Sequence, residues 1–225
     1  MDILALLEET FRPIAGRRIL DIGCGGGLLA GALLKRGAAV VGIDPDPAAV
    51  AKARISAPGA TVLESPAETL PFADRSFDGC VFLNSLHHVP AGAMPGALAE
   101  ACRVAGPSRP VVVVEPLARG SFFEAFLPVE DETAVRALAQ EAVDAAQLRG
   151  LLTQTRAIVF SRIERFAGVE AFVARVTAGD PVRAETAAAR AGAVAEAFAR
   201  VAHPADDGRF ELVQPLLARV LEAAG

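Results

Sequence analysis

The chain has 225 residues, of which 52% are hydrophobic and 22% charged, with a formal net charge of −5. That length and mixture suit one α/β domain with a sizeable core and exclude a disordered chain. The acidic balance, with basic residues spread along the chain, argues against nucleic acid as a partner, because phosphate contacts need a basic face. No apolar run approaches the ~18 residues of a membrane span, and the start, Met1-Asp2-Ile3-Leu4, lacks the basic region of a secretory signal. A cytoplasmic protein is therefore expected.

In chain order, residues 1–14 read as an amphipathic helix. Short apolar runs then alternate with amphipathic segments, the pattern of βαβ units and a parallel sheet. Strands are expected near 17–22, 39–43, 60–64, 79–84 and 110–115. Between them, a helix from Gly26 stops at Gly37. Asp46-Pro47 caps a second helix that reaches Ile55, and a third runs from Pro95 to about Val104. After Pro116 the texture changes. A helix is expected from about Glu130 to Leu152, a strand at 155–164 and a helix at Val169–Val176. One long Ala-rich amphipathic helix follows, opened by Asp180-Pro181 and stopped before Pro204. A last strand spans about 209–221, with a bulge or break at Pro215.

The run Ile19-Leu20-Asp21-Ile22-Gly23-Cys24-Gly25-Gly26-Gly27 carries the most information. An apolar strand ends in an acid and turns through glycines into a helix, the nucleotide-binding corner of a doubly wound α/β sheet. Asp44 closes the next apolar run at the spacing where an acid holds ribose hydroxyls. Leu28 stands where the dinucleotide fingerprint needs its third glycine, which argues against NAD. An adenosine-containing cofactor is expected. Cys24, Cys80 and Cys102 have neither disulfide nor metal-ligand spacing, and no metal cluster or Ser-His-Asp set is present in the sequence.

The spacing Asp21-x-Gly23-x-Gly25-x-Gly27 resembles the first motif of class I S-adenosylmethionine-dependent methyltransferases. Three further stretches support that likeness: Ala67-Glu68-Thr69-Leu70-Pro71-Phe72-Ala73-Asp74-Arg75-Ser76-Phe77-Asp78, Leu83-Asn84-Ser85-Leu86-His87-His88-Val89, and Glu100-Ala101-Cys102-Arg103-Val104 with Val111-Val112-Val113-Val114-Glu115-Pro116. The match covers residues 15–116 and is closest to the small-molecule group called type 11. It implies a mostly parallel seven-stranded sheet, the methyltransferase variant of the Rossmann fold, with an antiparallel last strand. It also implies S-adenosylmethionine as cofactor and one-step methyl transfer to a small-molecule acceptor. A non-catalytic cofactor-binding sensor or assembly subunit is the alternative.

By the same resemblance Asp21, Gly23, Cys24 and Gly25 form the turn around the cofactor, and Asp44 and Pro45 take the ribose and the adenine face. Ala67 offers its N–H to the adenine. Pro66 replaces the usual acid before it, so adenine recognition shifts towards Glu68. Asn84 and Ser85 meet the amino-acid end. His88 and Glu115 are the candidate bases. The segments 117–152 and 166–204 are expected as helical caps over the strand ends, and Phe122, Phe123 and Phe126 as either core or the lip of an acceptor pocket.

Overall fold

The computed structural model describes residues 2–224. The chain divides into two compact units: Met1–Glu115 with Leu138–Ile158 and Leu217–Gly225, and Pro116–Ala137 with Val159–Leu216.

The first unit begins with α1 (Ile3–Thr10), capped by the Asp2 carboxylate, which accepts the Ala5 N–H at 2.8 Å. It then builds β1 (Arg18–Ile22), α2 (Leu28–Leu34), β2 (Ala39–Asp44), α3 (Pro47–Ser56), β3 (Thr61–Glu64), β4 (Gly79–Leu83), α4 (Met94–Ala105) and β5 (Pro110–Pro116). These five strands pair in parallel in the order β3-β2-β1-β4-β5, with Asp21 opposite Gly42 on one side and Val81 on the other. The α3 cap is the one that the sequence announces. Asp46 accepts the Ala48 and Ala49 N–H groups at 2.9 and 3.3 Å, and Pro47 sits in the first turn. Continuous Val/Ile runs suit strands covered on both faces, and Val111–Val114 are at most 1% exposed.

α6 (Thr133–Leu148) ends four residues before the expected Leu152. Gly150 has a left-handed φ of 70°, and Leu151 donates back to the Ala146 carbonyl at 2.9 Å. This glycine stop frees Leu152 to begin β6 (Leu152–Phe166), which is longer at both ends than the expected strand.

The second unit holds α5 (Ser121–Phe126), α7 (Val169–Val176), α8 (Pro181–Ala189), α9 (Ala191–Val201) and the two-residue β7 (His203–Pro204). Phe122, Phe126, Phe166, Phe172 and Phe198 share its core, with Phe122 and Phe172 edge to face at 5.6 Å. The Phe122-Phe123-Phe126 group is thus core rather than a pocket lip. The expected single Ala-rich helix is two helices that meet at Arg190. Only Ala187 is buried in α8, whereas α9 buries Val194, Ala197 and Phe198. Between those positions no large apolar side chain favours one continuous axis.

β8 (Phe210–Ala223) lies between β5 and β6 in the sheet order, and β7 pairs with it antiparallel, which makes eight strands among the described residues. Ser108 donates to the Ala223 carbonyl and Leu117 to that of Pro215, so β8 runs antiparallel to β5. Of the bulge or break expected at Pro215, no break occurs, because β8 continues through it as one strand. β5 ends at Pro116, and the neighbouring Val213 N–H is taken by the Ser121 hydroxyl at 2.8 Å. No ladder donor is demanded of the proline at the point where β5 leaves. No helix among the described residues is long and apolar enough to cross a membrane.

Candidate cofactor site

Strand order reverses between β1 and β4, and in open α/β sheets ligands bind beyond the carboxyl ends at such a switch. Both strand ends lie in the first unit. After β1 the chain turns back through Gly23, Gly25 and Gly27, all with positive φ, into α2.

The three glycines do different work. A Cβ on Gly23 would lie 2.5 Å from Ser85 Cβ, and one on Gly27 would lie 2.8 Å from Ser56 Oγ and 3.0 Å from Ala53 Cα. Those two positions are glycine because the protein packs against them. A Cβ on Gly25 meets nothing within 4 Å, so this is the bare backbone that opens outward. Cys24, expected from the motif as a site residue, points inward. Its Sγ would lie 2.9 Å from a Cβ on Gly42, and the residue shares a small core with Val50, Ala53 and Val62. Its N–H is donated to Ile43 O and its carbonyl accepts Gly27 N–H, both at 2.9 Å. Burial pushes the Cys24 thiol up to about 12. Cys80 and Cys102 are likewise buried free thiols, with Cys102 raised by burial to about 12.

Asp21 is 1% exposed, and burial, then the neighbouring Asp44 charge, raises its carboxyl to about 7; a backbone hydrogen bond from Ala30 works the other way. Its Oδ2 has no hydrogen-bond partner among the described residues, nor has the buried Oδ1 of Asn84 just after β4. Asn84 is held in the left-handed region, φ 53°, and its N–H is donated to Val114 O at 2.8 Å. Buried acceptors without donors are rare. These two lie at the carboxyl ends of adjacent strands, Asp21 within the end of β1 and Asn84 just past β4, and suit a ligand that carries N–H groups and positive charge.

The Asp44 carboxylate stands at the end of β2, half-buried. Oδ2 accepts the Gly25 N–H at 2.9 Å and Oδ1 accepts the Asp46 N–H at 3.0 Å. Each oxygen keeps a further lone pair. Pro45 is exposed beside it, Ala67 is 8% exposed, and Glu68 is half-buried with its Cβ near Gly96.

Glu115 does not have the freedom a base needs. It is fully buried at the end of β5; Oε1 accepts the Ser85 and Leu86 N–H groups at 3.2 and 2.8 Å, and Oε2 pairs with His87 Nδ1. Ser85 in turn donates its hydroxyl to Ile22 O at 2.6 Å. Glu115 therefore pins the loop after β4 to β5. His88 is exposed, with its ring 4.0 Å from that of His87.

Glu100 and Arg103 on α4 prove to be structural anchors that motif reading left without a role. Arg103 holds Glu100 with two hydrogen bonds of 2.7 Å, Asp74 at 2.8 Å, and the Phe72 and Leu70 carbonyls at 2.7 and 3.1 Å. Glu100 also accepts the Leu70 N–H at 2.8 Å, and Arg103 holds its carboxyl below the usual range. Together they fasten the loop that follows Ala67 and Glu68. Arg103→Lys cannot reproduce this fork. It is expected to cost about 1–2 kcal/mol in urea unfolding and to speed amide exchange across 70–77. Unchanged exchange there would contradict the clamp.

Residues 20–111 match the family model described as a methyltransferase domain. The chain is 42% identical over 85 residues to a ubiquinone biosynthesis O-methyltransferase of Azorhizobium caulinodans, which covers 36% of this chain and 34% of that protein. The chain spans less than half the length of the curated relatives first matched, 47% for an uncharacterised methyltransferase of Synechocystis with 34% identity over 99 residues. Among solved structures, the YcgJ protein of Bacillus subtilis superposes with a TM-score of 0.64 at 21% identity, over 99% of this chain and 98% of that one. The fold likeness therefore extends well beyond the matched segment. With the glycine turn, the two strand-end acids and this strand order in one sheet, residues 20–111 are similar to the methyltransferase domain of the class I S-adenosylmethionine-dependent, type 11 group.

Proposed function

We propose that this protein transfers the methyl group of S-adenosylmethionine to a small-molecule acceptor by a one-step displacement. The observation that supports it best is the pair of buried, partnerless acceptors, Asp21 Oδ2 and Asn84 Oδ1, beside the open backbone of Gly25. A ligand with an ammonium and a sulfonium provides the donors and the charge that this corner lacks. When bound, the cofactor supplies a methyl group on a good leaving group, so no strong protein acid or base is required for its release.

The protein's contribution is placement. Asp21 and Asn84 face the amino-acid end, with the Ser85 loop held rigid behind them by Glu115. Asp44 offers its remaining lone pairs to the ribose hydroxyls, Pro45 its ring to the adenine face, and Ala67 its N–H to the adenine, with Glu68 beside it. Holding the reacting atoms in line and excluding water can supply much of the acceleration. Where the acceptor carries a proton, His88 is the residue to take it, since an imidazole can act as a general base. The ubiquinone pathway name of one relative and the acidic, evenly charged chain favour a small acceptor over a nucleic acid.

Calorimetry with S-adenosylmethionine tests the cofactor, and labelled cofactor incubated with fractionated small-molecule extract tests the acceptor. Asp44→Ala is expected to weaken cofactor binding on the order of 100-fold, because two hydrogen bonds to a charged acceptor are lost. Unchanged affinity in a folded Asp44→Ala variant would remove Asp44 from the site.

A further inference from the structure

On the opposite edge of the sheet, where β1, β4 and β5 begin, the first unit has a cleft of about 490 Å³. Arg18, Arg75, Phe77, Asp78, Gly106 and Arg109 line it. Asp78 is its sole carboxylate, and it is already claimed several times. It accepts the Arg18 backbone N–H at 2.9 Å and lies 3.2 Å from Arg109 Nη1 and 3.4 Å from Arg17 Nη1. The cleft and its rim thus carry four guanidinium groups, of which those of Arg17 and Arg109 pair with the one acid, in a chain of net charge −5.

Two of these guanidinium groups have no carboxylate partner among the described residues. Arg18 donates to the Ser76 carbonyl at 2.9 Å, and its guanidinium carbon lies 4.6 Å from the centre of the Phe77 ring. The ring orients that plane without neutralising it. Arg75 sits in a left-handed backbone, φ 55°, and its side chain lies against Gly106, where a Cβ would come within 2.6 Å of Arg75 Cγ. Three non-glycine residues among those described have positive φ. Asn84 is in the cofactor corner, and the other two, Arg75 and Ser108, flank this cleft. Backbone held in that region tends to mark binding sites.

We infer that this cleft is a second ligand site, one that takes a small phosphate-bearing anion in the fork of Arg18, Arg75 and Arg109. Guanidinium groups match phosphate oxygens two at a time. A cleft of this size falls in the range that holds small ligands. The site lies at the amino ends of the strands, and the methyl-transfer chemistry lies beyond the carboxyl ends, so neither needs the other's residues.

The test is calorimetric titration of the whole chain with inorganic pyrophosphate and with uridine diphosphate, in chloride buffer at fixed ionic strength. Wild type is expected to bind at least one of them saturably, and Asp44→Ala to bind it with unchanged affinity. Equal binding of both ligands assigns a free phosphate group, and tighter uridine diphosphate binding assigns a nucleotide. Arg75→Asn, which tolerates positive φ, and Arg18→Gln are each expected to weaken binding at least tenfold. Asp78→Asn keeps an acceptor for the Arg18 N–H but frees Arg17 and Arg109, and it should tighten binding severalfold. No saturable binding by wild type overturns the inference, as does binding that ignores all three substitutions. Chemical-shift changes confined to 17–18, 75–78 and 105–109 locate the anion even if one variant fails to fold.

Discussion

Glu115→Ala should lower the free energy of unfolding by about 3–5 kcal/mol, the largest stability loss expected of any substitution around the cofactor corner. The carboxylate is fully buried and serves the Ser85 N–H, the Leu86 N–H and the His87 ring together. Its removal strands all three, and each buried donor left unmade costs about 1–3 kcal/mol. Glu115→Gln keeps one good acceptor oxygen and should fall between the alanine variant and wild type. Urea denaturation followed by circular dichroism measures both. If Glu115→Ala unfolds at the wild-type midpoint while methyl transfer disappears, the carboxylate is a base after all and the anchoring role is wrong.

Asp21→Asn should move stability and affinity in opposite directions. The carboxyl of Asp21 is raised from 3.8 to about 7, mainly by burial. Below pH 3.8 it is neutral in both the folded and the unfolded chain and costs nothing. Between 3.8 and 7 the unfolded chain releases the proton freely while the folded chain resists, so the folded state loses stability as pH rises. Above 7 the full penalty stands, on the order of 4 kcal/mol. Asparagine carries no such penalty, so the variant should melt higher at pH 8 and close to wild type at pH 4. Binding follows the reverse logic. The ionised carboxylate is what attracts a cationic cofactor, so wild-type affinity should fall as pH drops through about 7, and the variant should bind weakly with little pH dependence. Equal melting shifts at pH 4 and pH 8 would show that the Asp21 charge does not limit stability.

Much of this was legible in the sequence because it rests on local rules. The glycine turn, the Asp46-Pro47 and Asp180-Pro181 helix starts and the five apolar strands each declare themselves within a few residues. Features set by distant partners did not show. Nothing near Glu115 in the chain reveals that Ser85 and Leu86 donate to it, and the spacing of Gly23 cannot tell that Ser85, not a ligand, forbids its side chain. The Gly150 stop was readable, since a glycine after a helical run is a terminator, but the surrounding apolar pattern outweighed it. That β8 passes Pro215 without a break depends on where a neighbouring strand ends, which is a tertiary fact.

The buried thiols offer an internal clock for opening of the molecule. Cys24 and Cys102 are held near pKa 12, and Cys80 has no exposed surface, so none presents a reactive thiolate to an alkylating reagent in the closed fold. Modification must wait for local or global unfolding. Cys24 sits in the glycine turn, within the small core of Val50, Ala53 and Val62, while Cys80 and Cys102 belong to the larger core shared by β4 and α4. Mass spectrometry after timed alkylation would therefore read the breathing of the cofactor corner separately from that of the central sheet. Added S-adenosylmethionine should slow labelling at Cys24 by a larger factor than at the other two.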